Sequence, residues 1–479
     1  MKSPLNRKKY MLSKISVVII SIFASNTCYT QESNVEAIPI AIKNVNIITM
    51  TMPNEVIKKA TVVIVNNKIA AINGSIPENA QIIDAESKWL IPGLIDMHIH
   101  LPHDFSVTKK LPTASPDIHF NIQDLMTPFI ANGVTTIFNL HANVESFYQR
   151  KEIQNGDVVG PRMALAALID GGEGNGRIAN TVEEGKQAVR MAKVDGYEFI
   201  KLYSGLNVET YNAIVDEANK QDMKTVGHIP NVFRNDLWKA FIPHFDLVAH
   251  AEEFSKSAKN FNYAEALSFA KIAKENGTWV IPTLTAMDWI ANQTHSLERL
   301  KSSQTIQYVH PLLQSKWLTA NNYNKNLTNK SDRVAYFDKI VAFNQLLVRA
   351  LKEQGVPILA GTDAGVSGVV SGFSLHDELA LLAEAGLTNE EVLSAATRLP
   401  ALWLGLESQI GTIEKGKFAD LILLDENPLV AIVNTRKIAG VFVNGLWMDK
   451  HTINEMLMDL SKRNSASKEQ FDWNKTMKK

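Results

Sequence analysis

One cysteine, Cys28, stands in a chain of 479 residues, so no second thiol is present to form a disulfide. Net charge is missing as well: 49 Lys and Arg against 50 Asp and Glu leave −1. Such a balance gives no electrostatic pointer to nucleic acid or to an anionic membrane surface. The apolar run at residues 15–24 (ISVVIISIFA) has ten residues, well short of the ~20 that a spanning helix needs. No Gly-x-Gly-x-x-Gly turn opens a helix after the first barrel-type strand, which argues against a dinucleotide crevice. There is no short-period repeat and no low-complexity linker.

The apolar run follows Lys2, Arg7, Lys8, Lys9 and Lys14 and precedes small and polar residues. This three-part order predicts an export signal over residues 1–30, cleaved near Thr30. The mature protein is then expected in the periplasm or outside the cell, without a membrane anchor. Lipid attachment at Cys28 is the alternative, but Ser25-Asn26-Thr27 lacks the apolar and small residues of such a signal. Losing the leader also loses Cys28, so the mature chain offers neither a thiol nucleophile nor a thiolate metal ligand. With 45% hydrophobic and 21% charged residues, the rest has ordinary globular composition, enough for one large core and a smaller one.

Short strand-like pieces fill residues 36–90, with turns such as Asn66-Asn67 between them. Similar pieces return at 418–424 and 438–444, the latter followed by the hairpin signal Asn444-Gly445. Together 36–90 and 408–450 predict a small composite β-sandwich domain. Between them, over 91–407, strand and helix patterns alternate. Strand candidates are 90–98, 134–140, 162–168, 197–203, 223–228, 246–251, 278–284 and 356–362. Helical periodicity follows most of them, for example over 182–195, 208–221 and 263–276. The pattern predicts an α/β fold, a parallel (β/α)8 TIM barrel, with a doubly wound open sheet as the alternative. The stretch 285–355 is long, polar and partly helical, and is expected to be an insertion lying over the active face as a lid. The end, 461–479, reads as a polar, loosely held tail.

His98-Ile99-His100 closes the first barrel strand. Alternate side chains share a face, so the two imidazoles stand side by side, a ready pair of metal ligands. Other candidate strand ends carry Lys201, His228, His250 and Asp363. Alone, His228 or His250 reads as a hydrogen-bonded core histidine, and Asp363 as a cap. Lys201 is harder to dismiss, because lysine is rarely buried without a partner. In a barrel of this kind, catalytic groups stand at the C-terminal ends of strands, so all six point to one rim.

These motifs resemble the amidohydrolase superfamily over nearly the whole mature chain, and in particular its imidazolonepropionase-like and prolidase-like members. The resemblance rests on residues 90–100 (LIPGLIDMHIH), 360–364 (AGTDA), 411–421 (GTIEKGKFADL), 427–429 (NPL), and the stretch 373–406 with Glu378-Leu379 and Ala395-Ala396-Thr397. It implies two divalent metal ions, usually zinc. His98, His100 and Asp363 would hold one and His228 and His250 the other. Lys201 would bridge them as a carbamate formed with CO2. Asp363 would be the catalytic proton shuttle between the attacking hydroxide and the leaving amine. His141 stands after the second strand, where relatives often show an Arg-Asp-like pattern. It is a substrate-binding candidate together with Tyr203, which could donate to an oxyanion, and Arg177, which could pair with a substrate carboxylate. Glu252 and Glu253 could orient a metal ligand or meet a substrate amine. The expected activity is hydrolysis of a C–N bond in a small molecule, a dipeptide or N-acyl amino acid. A cyclic amide or imidazolone, or a non-catalytic metal-binding role, is the alternative. Relatives are often multimers, so a homo-oligomer is compatible with the chain.

Overall fold

The computed structural model describes residues 38–106, 115–324 and 329–477; the expected leader and Cys28 lie outside them. The apolar pieces of the N-terminal segment form β1 (Ile40–Ile48), β2 (Val56–Val65), β3 (Lys68–Ile72), β4 (Gln81–Asp84) and β5 (Trp89–Pro92). The barrel strands follow: β6 (Leu94–Ile99), β7 (Val134–Asn139), β8 (Arg162–Asp170) with the short β9 (Arg177–Ile178), β10 (Phe199–Leu202), β11 (Lys224–Gly227), β12 (Leu247–Ala249) and β13 (Trp279–Ile281). The chain returns to the small sheet with β14 (Leu421–Leu424), β15 (Ile438–Val443) and β16 (Leu446–Asp449).

The small sheet runs β16-β15-β14-β5-β1-β2-β3, with β4 paired to β1. Both ends of the chain therefore build one mixed sheet. Its own core contains Ile42, Val62, Leu90, Leu421 and Phe442. The second sheet is parallel in the order β6-β7-β8-β10-β11-β12-β13. The expected strand 90–98 is in fact two strands in two sheets. Gly93 donates to Asp420 O of the small sheet (2.8 Å), and Leu94 donates to Gly133 O of the barrel (3.0 Å). A continuous apolar run hides this joint, because both halves are buried. A Cβ on Gly93 would stand 2.0 Å from Thr135 Oγ1. Gly93→Ala is therefore expected to lower stability by about 1–3 kcal/mol, the usual range for overpacking. Thr135→Ala in the same chain should recover much of it, and a double-mutant cycle by chemical denaturation measures the coupling.

The eighth segment, expected as a strand at 356–362, makes no regular ladder. It closes the barrel through isolated contacts: Val280 N to Pro357 O (3.1 Å), Leu359 N to Val280 O (2.9 Å), Met97 N to Ala360 O (3.0 Å) and Asp363 N to His98 O (2.7 Å). Two residues explain the irregularity. Pro357 has no amide hydrogen to donate. Gly361 runs so close to β6 that a Cβ there would lie 2.9 Å from His98 N.

Two further expectations are corrected. Within 285–355, helices Leu284–His295 and Lys330–Glu353 pack against each other, and Lys330–Glu353 also packs on Tyr263–Asn276, so both belong to the barrel wall. Among the described residues of that stretch, only the helix Pro311–Thr319 and the turn after it line the mouth. The tail is not loose as far as Met477. The helix Lys450–Ser467 buries Ile453 and Leu460, Trp473 N donates to Ser315 Oγ (2.9 Å), and Phe471 packs on His310. Its overall polarity concealed these few apolar anchors. Among the described residues no helix is long and apolar enough to cross a membrane.

Candidate metal centre

At the C-terminal end of β6, His98 is fully buried and His100 opens onto a cleft. Asp363, at φ +60, turns its carboxylate toward both. Asp363 Oδ1 lies 3.3 Å from His98 Nε2 and 3.1 Å from His100 Nε2, and the two ring nitrogens are 3.2 Å apart. Tetrahedral ligands at ~2.0–2.1 Å from zinc stand about 3.3 Å from one another, so the three atoms already have the spacing of ligands around one ion. Asp96 fixes the framework. It accepts from Thr362 Oγ1 (2.7 Å), Thr362 N (3.0 Å) and His98 N (3.2 Å), tying the eighth segment to β6. Burial raises its carboxyl to about 7 despite those donors.

The remaining candidates sit alongside. The His250 ring lies 4.6 Å from that of His98 and 4.6 Å from that of His228, centre to centre. Lys201 on β10 is wholly buried, and among the described residues its Nζ has no hydrogen-bond partner; neither has His228 Nδ1. Burial first, then nearby positive groups, hold His98 and His228 well below the usual imidazole value. Burial likewise brings His250 to about 3 and Lys201 to about 7, each against the opposing pull of Asp363. The imidazoles are thus neutral, as ligands must be. Burial pushes the Asp363 carboxyl up, but the His100 hydrogen bond and neighbouring positive charges outweigh it and hold it at about 2. The converging triad, with the orphaned amine and ring nitrogen beside it, fits a site built to hold a metal ion.

The amidohydrolase family profile matches residues 89–448. The chain belongs to the amidohydrolase family. A 5-methylthioadenosine/S-adenosylhomocysteine deaminase of Bacillus cereus is 22% identical over 446 residues, covering 84% of this chain and 92% of that protein. An imidazolonepropionase of Maricaulis maris is 36% identical over 105 residues, 21% of this chain; the match spans only 26% of that relative's length. Among solved structures, a Xaa-Pro dipeptidase with bound methionine in its active site has the same fold, with a TM-score of 0.65 and 22% identity over 86% of this chain and 100% of that one. The family is metal-dependent, and the group His98, His250 and Asp363 could hold an ion.

In this amidohydrolase, the orientation of His250 is set by a residue its sequence did not single out. Thr283 Oγ1 donates to Pro282 O (2.8 Å), so the 2.7 Å contact with His250 Nδ1 requires that nitrogen to be the donor. Nε2 is then left as the free lone pair. The turn is held in place by Glu378, a buried carboxyl raised to about 8 by burial, which accepts from Thr285 N (2.7 Å). Thr283→Val is expected to weaken metal binding by about 10–100-fold, as loss of such an orienting partner does. Competition with a chelator measures it.

The cleft above the centre holds about 1270 Å³, its open mouth included, and His141 and Tyr203 are among the residues that line it. The Tyr203 ring lies 4.3 Å from that of His228, and His141 faces His100 at 6.2 Å. Arg177 is not there. It is ion-paired with Asp195 and lies beside the Tyr197 ring, away from the cleft. A glycine-rich loop after a strand suggested a substrate contact, but the loop directs Arg177 to a neighbouring helix end. The only Lys or Arg lining the cleft among the described residues is Lys316, on helix Pro311–Thr319; its Nζ lies 4.8 Å over the Trp473 ring, and it has no ion pair with a carboxylate among those residues. Nothing in its local sequence sets it apart from other lysines of that polar stretch. Glu253 is buried, 3.8 Å from His228 Nε2, and its other oxygen accepts from Ile229 N (3.2 Å). Glu252 is ion-paired with Lys256 (3.0 Å).

Proposed function

We propose that this protein hydrolyses the C–N bond of an amide bearing a free carboxylate, a dipeptide or N-acyl amino acid, with two divalent ions, zinc by preference. The observation that carries the reading is the convergence of Asp363, His98 and His100 beside a buried Lys201 amine that has no partner. His98, His100 and Asp363 would hold one ion, His228 and His250 the other, and Lys201 would bridge them as a carbamate. An amine lowered to about 7 is substantially unprotonated near neutral pH, the form that adds CO2. As an ammonium it would be repelled by two cations, whereas a carbamate offers a negative charge and two oxygens. Bound ions supply polarisation of the scissile carbonyl and a lowered pKa for the attacking water.

The chain's own groups do the rest. Asp363 is ionised over the neutral range, takes the water's proton, and delivers it to the departing nitrogen. Burial raises the Tyr203 phenol, so it keeps its proton and can donate to the carbonyl oxygen as charge develops there. Lys316 would pair with the substrate carboxylate. The likeness to a Xaa-Pro dipeptidase supports this substrate class. A cyclic amide is the second reading, favoured by the identity with an imidazolonepropionase. A screen of zinc-loaded protein with dipeptides and N-acyl amino acids, each as free acid and as carboxamide, separates the two. Cleavage of free acids in preference to carboxamides is expected. Opening of imidazolones or other cyclic amides with no linear cleavage would replace the first reading by the second, and no turnover of either would leave a metal-binding protein. Export belongs to the same proposal. Recovery of the full chain from the cytoplasm with residues 1–30 intact would overturn it.

A further inference from the structure

Beside the metal cleft lies a second cavity. It shares His100, Pro102, Leu313, Trp317 and Gly365 with the cleft, so the two spaces adjoin beside the metal centre. Its free space, open solvent at the mouth included, comes to about 610 Å³, and its wall contains Phe120, Leu125, Val369, Val370 and Leu460. Leu460 belongs to the C-terminal helix, and Phe471 braces the wall from outside by packing on His310 (4.6 Å).

Besides the Tyr308 and Ser371 hydroxyls, the polar side chains around this space include Asp124, Asn464, Asn121 and His310, and these four are already engaged. Asp124 is ion-paired with Arg463 (2.6 Å). Asn464 Nδ2 donates to Gln307 O (2.9 Å) and Val309 O (3.2 Å). Asn121 Oδ1 accepts from Asp124 N as a helix cap (3.0 Å). His310 accepts from Leu312 N (3.2 Å), lies between the Phe120 and Phe471 rings, and is brought by burial to about 4, hence neutral. A charged moiety placed here would lose its water and gain few partners and no free countercharge, which is costly. An apolar one would gain by the area it removes from water.

We infer that this annex receives an apolar arm of the substrate, an acyl chain or aryl group carried by the scissile amide. The inference rests on the amide-hydrolase reading and adds to it the chemistry of the group that flanks the cleaved bond. A carboxylate product is anchored at the metal centre, and its hydrocarbon tail extends past His100 toward Val369 and Leu460.

The test is a binding series. Zinc-loaded full-length protein is titrated by calorimetry with linear saturated carboxylates from acetate to octanoate. Affinity is expected to rise about four-fold per methylene until the annex is full, the increment that follows from burying one CH2 group. In Val369→Phe, and independently in Leu460→Trp, an added ring occupies the space, and the slope should fall below about two-fold per methylene. Circular dichroism identifies whichever variant is folded. A flat series in the unaltered protein, or an undiminished slope in a folded variant, overturns the inference. A steep series in a protein that cleaves no amide removes the hydrolase reading and leaves the annex standing. Amide cleavage with a flat series does the reverse.

Discussion

Changing Lys201 to alanine is expected to remove hydrolysis and one bound ion together. Turnover should fall by roughly 10³-fold or more, the scale of loss when one member of a cooperating catalytic unit is removed. Metal analysis should fall from about two ions per chain to about one, since the group that would bridge them is gone. Full activity with one ion in this variant would eliminate the binuclear mechanism. A stability measurement on metal-free protein supplies an independent check. The Lys201 amine is lowered from 10.5 to about 7 by burial, so the folded state binds its proton less tightly than the unfolded state. The cost is fully present below pH 7. Between about 7 and 10.5 the unfolded state holds more protons, so this group makes stability rise with pH. Lys201→Met, which keeps the bulk without the amine, should be the more stable protein at pH 6 and should lack that rise.

Asp363→Asn separates proton transfer from binding. The amide preserves shape and one oxygen but neither the charge nor the capacity to accept a proton. Turnover is expected to fall by about 10²–10⁴-fold, the usual contribution of a positioned acid–base group. The loss should be in kcat more than in KM, because Lys316 and the cleft walls remain. The wild-type carboxylate, held at about 2, keeps its charge throughout the range in which the enzyme can be assayed. Retained turnover in the variant would remove Asp363 from the proton path.

His98, His100, Lys201, His228, His250 and Asp363 could be gathered from sequence because each lies within or just after a short apolar stretch, where a polar side chain has only a few uses. The fold class was legible for a similar reason: strand and helix periods alternate over most of the chain. What escaped was set by packing at a distance. The run from Leu90 to Ile95 is apolar throughout, so hydrophobicity cannot mark the change of sheet at Gly93. Asp96 had a readable sign, a carboxylate in the middle of a buried strand that must find donors, but its partner Thr362 lies far along the chain. Arg177 and Lys316 are the opposite pair of cases. A suggestive loop sends the first to Asp195, while an unremarkable helix brings the second to the cleft. Thr283 acts through one hydroxyl whose meaning depends on where His250 lies.

The pairing of β5 with β14 has a consequence for the order in which the molecule can be assembled. Leu90 pairs with Leu423, and β5 leads through Gly93 directly into the strand that bears His98. A chain made from its N-terminus forward presents the first two ligands early, shortly after β5, whose neighbour β14 does not yet exist. The eighth segment with Asp363 arrives later, and β14 later still. Until then β5 offers an unpaired edge beside a half-built barrel, the kind of surface that recruits other strands. Contacts of such long sequence separation form slowly. Ion capture by the complete ligand set is therefore a late event of folding, and a chain ending before Leu421 is expected to aggregate rather than persist as a smaller metal protein.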